Sequence, residues 1–227
     1  MDALDNIFWH ALSGPQARHA VGGDTARRFA PGFSPMLAFA DLQRPDFGAL
    51  AGVCQPGETF YCADWSGSMP TGWQLQAEGR MWRMVWGGAP PPDDEPLHEA
   101  VPLHAAQHAG AAMELAALCK PGPFGPRTLA LGDYLGCFEQ GRLIAMAGER
   151  LNAGALREVS GICTHPEFQG RGLARRLIAM LLRRQLARGE TPFLHVMQDN
   201  EGAHRLYQRM GFKDHALAVV RVVSRLG

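Results

Sequence analysis

The sequence predicts a mixed α/β protein in which a smaller α+β domain, residues 1–92, precedes a larger sheet domain, residues 97–227. Three observations predict this class. A strand, a glycine-rich turn and the start of a helix follow one another over residues 158–174. Apolar side chains then recur with helical period from Leu173 to Leu186, which is typical of a helix packed on a sheet. Residues 89–96 hold four prolines and three acidic side chains, and this composition predicts a stiff, solvated linker.

The elements predicted for the first domain are short. Residues 3–12 and 24–29 are predicted to be helical. Four apolar runs, separated by turn signals, are predicted to be strands: residues 36–40, 49–53, 59–64 and 80–86. This domain contains no motif that indicates a particular chemistry.

The second domain alternates strands and helices. We expect a strand at 100–105, a helix at 109–118 and then an irregular segment, because residues 120–127 include three prolines and two glycines. Residues 134–138 and 143–150 are predicted to form a hairpin around the turn 139–142. A strand begins near Leu156, a helix near Leu173, a further strand covers 191–197, and a last helix follows Asn200.

Composition excludes several classes of protein. Basic and acidic residues both total 22, so there is no global positive field to favour nucleic acid or a membrane surface. The first residues lack the features of a signal peptide, and no apolar run has membrane-spanning length. The five cysteines are scattered, which predicts reduced thiols in a cytoplasmic protein. His104 and His108 straddle a predicted strand-to-helix junction, so we expect no metal.

The glycine-rich turn predicts a phosphate site. Gly170 and Gly172 carry no Cβ, so backbone N–H groups can approach a ligand, and the following helix directs its unpaired N–H donors to the same place. A P-loop would need Lys-Ser/Thr after the last glycine, and a dinucleotide fingerprint would need a small residue where Arg175 stands. The pattern that fits is Gln/Arg-x-x-Gly-x-Gly/Ala, met by Gln169, Gly172 and Ala174.

This loop resembles the coenzyme A pyrophosphate loop of the GCN5-related N-acetyltransferase (GNAT) superfamily. The downstream block, residues 200–212, is similar to the closing signature of that superfamily: an Asn that opens a helix carrying a Tyr and ending in Gly-Phe. The sequences Thr164-His-Pro and His204-Arg-Leu-Tyr resemble the FR47-like branch, which is related to the glycine N-acyltransferases. The resemblance covers about residues 98–227 and implies a GNAT fold. One interpretation of residues 1–92 is a degenerate GNAT half.

The resemblance implies acetyl-CoA or another acyl-CoA as cosubstrate. Its pantetheine would pair with backbone of Ile162, Cys163 and Thr164, and Asn200 would cap the closing helix and also contact the pantetheine. The residues implied for the phosphates are those of the loop and the first helical turn, namely Gln169, Gly170, Arg171, Gly172, Leu173, Ala174 and Arg175. Arg171 and Arg175 are open to a second interpretation as a solvated face.

The resemblance also implies direct attack of an amine on the thioester, in a gap where two strands splay apart. Glu158 is the candidate base, and a water chain is the alternative. Tyr207 is the candidate acid for the CoA sulfur, or else a packing residue. A backbone N–H in the gap can stabilise the oxyanion. His165 and Cys163 are interpreted as structural.

The acceptor is expected to be a small-molecule primary amine, such as an amino acid. Phe124 and Arg127 lie in the loop that overhangs the acceptor site in this fold, and Arg127 is a candidate for binding an acceptor carboxylate. Two alternatives remain open: an acyl-CoA sensor without turnover, and a protein or peptide N-acetyltransferase guided by the N-terminal domain. The sequence also leaves open whether the protein is a homodimer.

Overall fold

The computed structural model describes residues 3–92, 97 and 99–227. Within these ranges four α-helices are found: α1 Ile7–Ser13, α2 Ala105–Cys119, α3 Leu173–Ala187 and α4 Glu201–Met210. Short 3-10 helices cover Ala3–Asn6, Ala17–His19, Gly48–Leu50, Thr128–Ala130 and Pro166–Phe168. No helix in the described ranges is long and apolar enough to cross a membrane.

Eleven strands are found in the same ranges. They are β1 Ala20–Gly22, β2 Ala26–Phe29, β3 Leu37–Phe39, β4 Thr59–Ala63, β5 Trp73–Trp86, β6 Ala100–Pro102, β7 Tyr134–Glu139, β8 Arg142–Ala153, β9 Leu156–Thr164, β10 Thr191–Met197 and β11 Phe212–Arg225. The first three form a small sheet in the order β1-β2-β3. The other eight form one sheet in the order β4-β11-β5-β10-β9-β8-β7-β6. The predicted mixed α/β sheet architecture is confirmed.

Helices cover both faces of the large sheet. On β10, the side chains of Leu194 and Val196 join the cluster that contains the apolar face of α3, whereas Phe193 joins the cluster that contains α1. Because successive side chains of a strand point to opposite faces, α3 and α1 lie on opposite sides of the sheet. The helix α2 packs on the same side as α1, since Met146 of β8 contacts the α2 cluster while Ala145 and Ala147 face α3.

The N-terminal segment is part of the large sheet. Strand β5 lies between β10 and β11 and pairs antiparallel with both, and β4 pairs with the outer side of β11. The sheet therefore crosses the expected boundary between residues 1–92 and 97–227. Of the expected linker at 89–96, residues 93–96 lie outside the described part of the chain.

Two element predictions for the N-terminal segment are wrong. Residues 24–29 are not helical, because Ala26–Phe29 forms β2 and is paired on both sides by β1 and β3. Residues 49–53 are not a strand. Asp46 accepts a hydrogen bond from the backbone N–H of Ala49 (3.0 Å), and this cap starts a 3-10 turn. The strand β11, which extends for fourteen residues from Phe212, is not predicted from the sequence.

Candidate active site

The two central parallel strands separate at one defined point. Strands β9 and β10 pair only over Leu156–Glu158 and Thr191–Phe193. Beyond Glu158 the outer side of β9 pairs with no strand in the described part of the chain, although its other side stays bonded to β8, with Met146 opposite Cys163 and Ala145 opposite Thr164. The backbone of residues 162–164 therefore has one free edge, which is the kind of edge that extended amide groups of a ligand can pair with.

The loop after β9 has the backbone geometry of an anion site. Gly170 and Gly172 have φ of +78° and +72°, and an added Cβ would meet no atom within 4 Å at either position. Gly172 is the N-cap of the fifteen-residue helix α3, so the first helical turn, with its backbone N–H donors and the positive end of the helix dipole, directly follows the loop. The predicted helix start at Leu173 is confirmed. This arrangement fits a pyrophosphate, because it combines open space, backbone donors and the positive end of a helix.

Arg171 has structural contacts of its own within this loop. Its guanidinium lies 4.6 Å from the ring centre of Phe168 and 3.2 Å from Glu139, and the side chain is more than half exposed. Gln169 and Gly170 are exposed as well. A phosphate contact by Arg171 therefore requires exchange of a surface ion pair, which costs little free energy.

We expect Gly172→Ala to weaken acetyl-CoA binding about tenfold, because alanine resists a positive φ by about 1–2 kcal/mol and the loop would relax away from its binding geometry. Gly189→Ala is the matched control: Gly189 also has φ +72° and open space, but it lies beyond the other end of α3. Calorimetric titration of both variants with acetyl-CoA measures the difference. If Gly172→Ala and Gly189→Ala bind acetyl-CoA with equal affinity, the loop around Gly172 does not bind the cofactor.

Two predicted site residues, Asn200 at the N-cap of α4 and Tyr207 within it, lie beside the gap between β9 and β10. The Asn200 side chain accepts a hydrogen bond from the backbone N–H of Ala203 (3.2 Å), so the predicted helix cap is confirmed. Tyr207 is buried against Phe212, and burial raises the pKa of its phenol. Its hydroxyl has no hydrogen-bond partner among the described residues. Tyr207 therefore remains protonated at neutral pH and has a proton to donate.

A cavity of about 410 Å³ connects the strand gap to the N-terminal segment. We call it the central cavity. The gap and closing helix contribute Val159, Ser160, Gly161, Ile162, His195, Val196, Met197, Asn200 and Tyr207 to its lining. The other walls are Tyr61, residues 77–79, Met81, residues 120–123, Arg150, Val220 and Val222. The size is that of a small-ligand site.

Glu158 lies at the point where the strands separate, at the centre of a buried ionic network. Its two oxygens accept hydrogen bonds from Arg150 Nε (2.9 Å) and Nη2 (2.7 Å), and Oε2 also accepts from the backbone N–H of Leu151 (3.2 Å). His195 Nδ1 lies 2.8 Å from Oε1. Arg83 Nε lies 3.3 Å from His195 Nε2, and its Nη2 contacts Asp64 (2.5 Å).

The network fixes the protonation states of its members. Burial alone would raise the pKa of the Glu158 carboxyl, but the Arg150 charge and the hydrogen bonds from His195 and Arg150 outweigh it and lower the pKa to about 2. Burial lowers the pKa of His195, and Arg83 and Arg150 oppose the effect of Glu158. An ionised carboxylate only accepts and a guanidinium only donates, so His195 is neutral, with its proton on Nδ1 and its lone pair on Nε2 facing Arg83.

These contacts argue against Glu158 as the direct base. A carboxylate with a pKa of about 2 has little affinity for a proton at neutral pH, and its oxygens already accept four hydrogen bonds. Glu158 is also absent from the cavity lining, whereas its partners Arg150 and His195 belong to it. Glu158 therefore holds these two side chains in place through its hydrogen bonds.

The irregular loop 120–127 does overhang the cavity, but with different residues from those expected. Residues 120–123 line it, whereas Arg127 is exposed and its guanidinium stacks 4.3 Å from the ring centre of Phe33. Phe124 packs edge-on against Tyr134 behind the lining. The loop is held by the N-terminal segment, since buried Ser34 donates to the carbonyl of Pro123 (3.1 Å). The acceptor contact predicted for Arg127 is therefore not favoured.

The interpretation of His165 as structural agrees with its contacts. Its backbone N–H donates to Ile144 (2.8 Å), its ring meets Arg142, and Nδ1 accepts from the backbone of Glu167 (3.3 Å). Cys163 is buried, and burial raises the pKa of its thiol, which is unfavourable for a nucleophile.

Comparison with known proteins agrees with this geometry. The model of the FR47-like protein family matches residues 134–222. A crystal structure from Novosphingobium aromaticivorans, described as that of an acetyltransferase from the GNAT family, superposes over 100% of both chains with a TM-score of 0.88 and 32% identity. The chain belongs to the GNAT family. The predicted superfamily and its FR47-like branch are thus confirmed.

Two further proteins are similar to this GNAT protein. The N-alpha-acetyltransferase RimI of Mycobacterium tuberculosis is 40% identical over 83 residues, which are 35% of this chain and 51% of RimI. The match thus spans about half the length of that curated relative. A GCN5-related N-acetyltransferase from Kribbella flavida covers 99% of this chain and 95% of its own, with a TM-score of 0.60 and 16% identity, and shares the fold.

Several residues of the GNAT site were not identified from the sequence. Tyr61, Glu78 and Arg150 come from segments without a motif, and they reach the cavity only because β4, β5 and β8 share one sheet. His195 stands in a predicted strand. The alternation of side chains along that strand could have identified it, because His195 points to the same face as Phe193, the residue at which pairing with β9 stops.

Proposed function

We propose that this GNAT protein is an N-acyltransferase that moves an acetyl or short acyl group from acyl-CoA to a small primary amine by direct attack. The observation that carries the proposal is the central cavity. It joins the free edge of β9, where a thioester can lie, to a chamber walled by the N-terminal segment and the loop 120–123.

The cofactor half of the site supports an acyl-CoA donor. The phosphates would lie over Gly170, Gly172 and the N-terminus of α3, and the pantetheine would follow the free edge of residues 162–164 towards Asn200. A backbone N–H of this edge would donate to the thioester oxygen as it becomes an oxyanion. Tyr207 would then donate its phenolic proton to the leaving CoA thiolate.

The amine must lose a proton, and the lining of the central cavity offers no strong base for it. Glu158 is neutralised by Arg150, the lone pair of His195 faces Arg83, and Glu78 is held by Arg221 (2.7 Å). We propose that the acceptor reacts as the neutral amine and gives up its proton to a chain of water molecules after it attacks. This is the water-chain alternative to a Glu158 base.

We expect the pH dependence of kcat/KM to be set by the pKa of the acceptor amine. The logarithm should rise with unit slope up to the pKa of the amine itself, because only the neutral amine attacks. Two acceptors whose amine pKa values differ by about one unit should show limbs displaced by about the same amount. If the rising part of the profile lies at the same pH for both acceptors, the group that titrates is a base on the enzyme.

A second candidate function is acetylation of a peptide N-terminus. The relative from Mycobacterium tuberculosis is by its name an N-alpha-acetyltransferase, which favours an α-amino group as acceptor. A free amino acid and a peptide N-terminus both present such a group. The walls formed by Tyr61, residues 77–79 and the loop 120–123 favour the smaller acceptor, because a peptide would need an open groove.

A thiol-release assay tests the proposal. The protein is incubated with acetyl-CoA or longer acyl-CoAs and a panel of amino acids, polyamines and short peptides, and the free thiol of CoA is measured. Acceptor-dependent release establishes the N-acyltransferase and identifies its acceptor class. Tight acyl-CoA binding by calorimetry without release for any acceptor would favour the sensor.

A further inference from the structure

Arg150 has one nitrogen that its buried ion pair does not use. Nε and Nη2 both bind Glu158, whereas Nη1 has no hydrogen-bond partner among the described residues. The residue is 7% exposed and belongs to the lining of the central cavity. Nη1 lies 3.8 Å from the place where a Cβ on Gly122 would stand, so it faces the loop 120–123. Nη1 is therefore a guanidinium donor that faces the cavity and is available to a ligand oxygen.

Lys120 begins the loop 120–123, which is the loop that Arg150 Nη1 faces. It ends α2 in the left-handed conformation (φ +50°), which turns the chain into the loop that covers the cavity. Its ammonium makes no ion pair with any described residue, and Lys120 belongs to the cavity lining. The compact charge of a lysine on a flexible stem suits an anion that enters from solvent.

The charge balance of the lining leaves a positive excess. The charge of Arg150 is offset by Glu158, and that of Glu78, the acidic side chain in the described lining, is offset by Arg221. His195 is neutral. Lys120 is therefore the residue of the described lining whose charge no acidic side chain offsets. Two cationic residues in the lining, with Glu78 already paired to Arg221, favour a carboxylate as the ligand group.

We infer that Arg150 Nη1 and Lys120 bind a carboxylate of the acceptor, and that the acceptor is a free amino acid, with its amine directed to the strand gap. The inference rests on the proposed function and narrows its substrate class. It moves the anion contact from Arg127, which is stacked on Phe33, to two residues that line the central cavity.

The test compares free amino acids with their carboxamides, for example glycine with glycinamide and phenylalanine with phenylalaninamide. We expect wild type to acetylate the acids with kcat/KM at least about tenfold above the amides, since the amides lack the negative charge for this contact. Lys120→Gln should reduce this ratio about tenfold, and Lys120→Glu should reduce it further. Comparing the ratio between variants cancels the different amine pKa values of acid and amide.

Lys213→Gln is the matched control, because the chain has two lysines and Lys213 is an exposed residue of β11 outside the cavity lining. It should keep the wild-type ratio. A ligand-observed NMR titration of the same compounds, with the protein saturated with CoA, gives a reading that needs no turnover. We expect glycine and phenylalanine to bind, the amides to bind weakly, and Lys120→Gln to lose the difference.

The two readings separate the inference from the proposed function. Efficient turnover of amides, or of peptides with amidated C-termini, would keep the acyltransferase and overturn the carboxylate site. Binding of the acids with no CoA release for any amine would keep the carboxylate site and overturn the acyltransferase. An acid-to-amide ratio that Lys120→Gln and Lys120→Glu leave unchanged would also overturn the inference.

Discussion

Glu158→Gln is expected to destabilise the protein by about 3 kcal/mol or more, because it leaves the buried Arg150 guanidinium without a charged partner. Denaturant unfolding measures this loss. Glu190→Gln is the matched control, since Glu190 is likewise a carboxylate paired with arginine, in its case with Arg157 and Arg188. Both of these retain contacts to Glu149, so the control should lose about 1 kcal/mol or less.

The same ion pair predicts an acid transition. The folded-state pKa of Glu158 is about 2, below its ordinary value of 4.5, so its contribution to stability is complete above pH 4.5 and is lost as the pH falls towards 2. The difference in unfolding free energy between wild type and Glu158→Gln should shrink over that range. A constant difference, or a Glu158→Gln variant as stable as wild type at pH 7, would contradict the buried pair as described.

Tyr207→Phe is expected to lower kcat about 100-fold, because the leaving thiolate would lose its proton donor while the ring keeps its packing against Phe212. The KM values for acyl-CoA and acceptor should change little, and so should the thermal stability. Steady-state thiol release gives all three kinetic quantities. An unchanged kcat would show that Tyr207 only packs beneath the cofactor.

Tyr134→Phe is the matched control for this variant. Tyr134 is also buried, with a raised phenol pKa and a hydroxyl that has no hydrogen-bond partner among the described residues, but it lies outside the cavity lining. Removing that hydroxyl should leave kcat unchanged and keep or raise stability, since an unsatisfied buried group is lost. A loss of kcat equal to that of Tyr207→Phe would mean that the effect of Tyr207→Phe is not specific to proton donation.

Features that depend on neighbouring residues in the chain were predictable. Gly170 and Gly172 carry their positive φ within one loop, and Asn200 caps its helix three residues ahead. The turn 139–142 is confirmed for the same reason, since Gln140 and Gly141 supply the two positive φ values that a tight hairpin requires. These interactions are local, so the pattern of residue types is sufficient to indicate them.

Features that depend on distant segments were not predictable. Arg28 lies in a segment predicted to be helical, yet it is in a strand and its guanidinium is held by Glu58 (2.5 Å). The function of Glu158 depends on Arg150 and His195, and the latter comes from a different strand. The order of residue types along the chain does not indicate which charged side chains lie next to each other in the fold. For that reason the sequence indicates Glu158 as a site residue but does not indicate the partners that bear on its predicted base role.

The position of β5 between β10 and β11 has a consequence for how the chain acquires its fold. Trp73 pairs with Arg225, and Val85 pairs with Phe193, so a strand made early must wait for two strands made late. Sequence separation of this size slows folding. During synthesis the apolar side chains of β5, among them Trp82 and Trp86, are exposed until residues 191–225 emerge. The nascent chain should therefore depend on chaperones, and a refolding yield that falls steeply with protein concentration is expected.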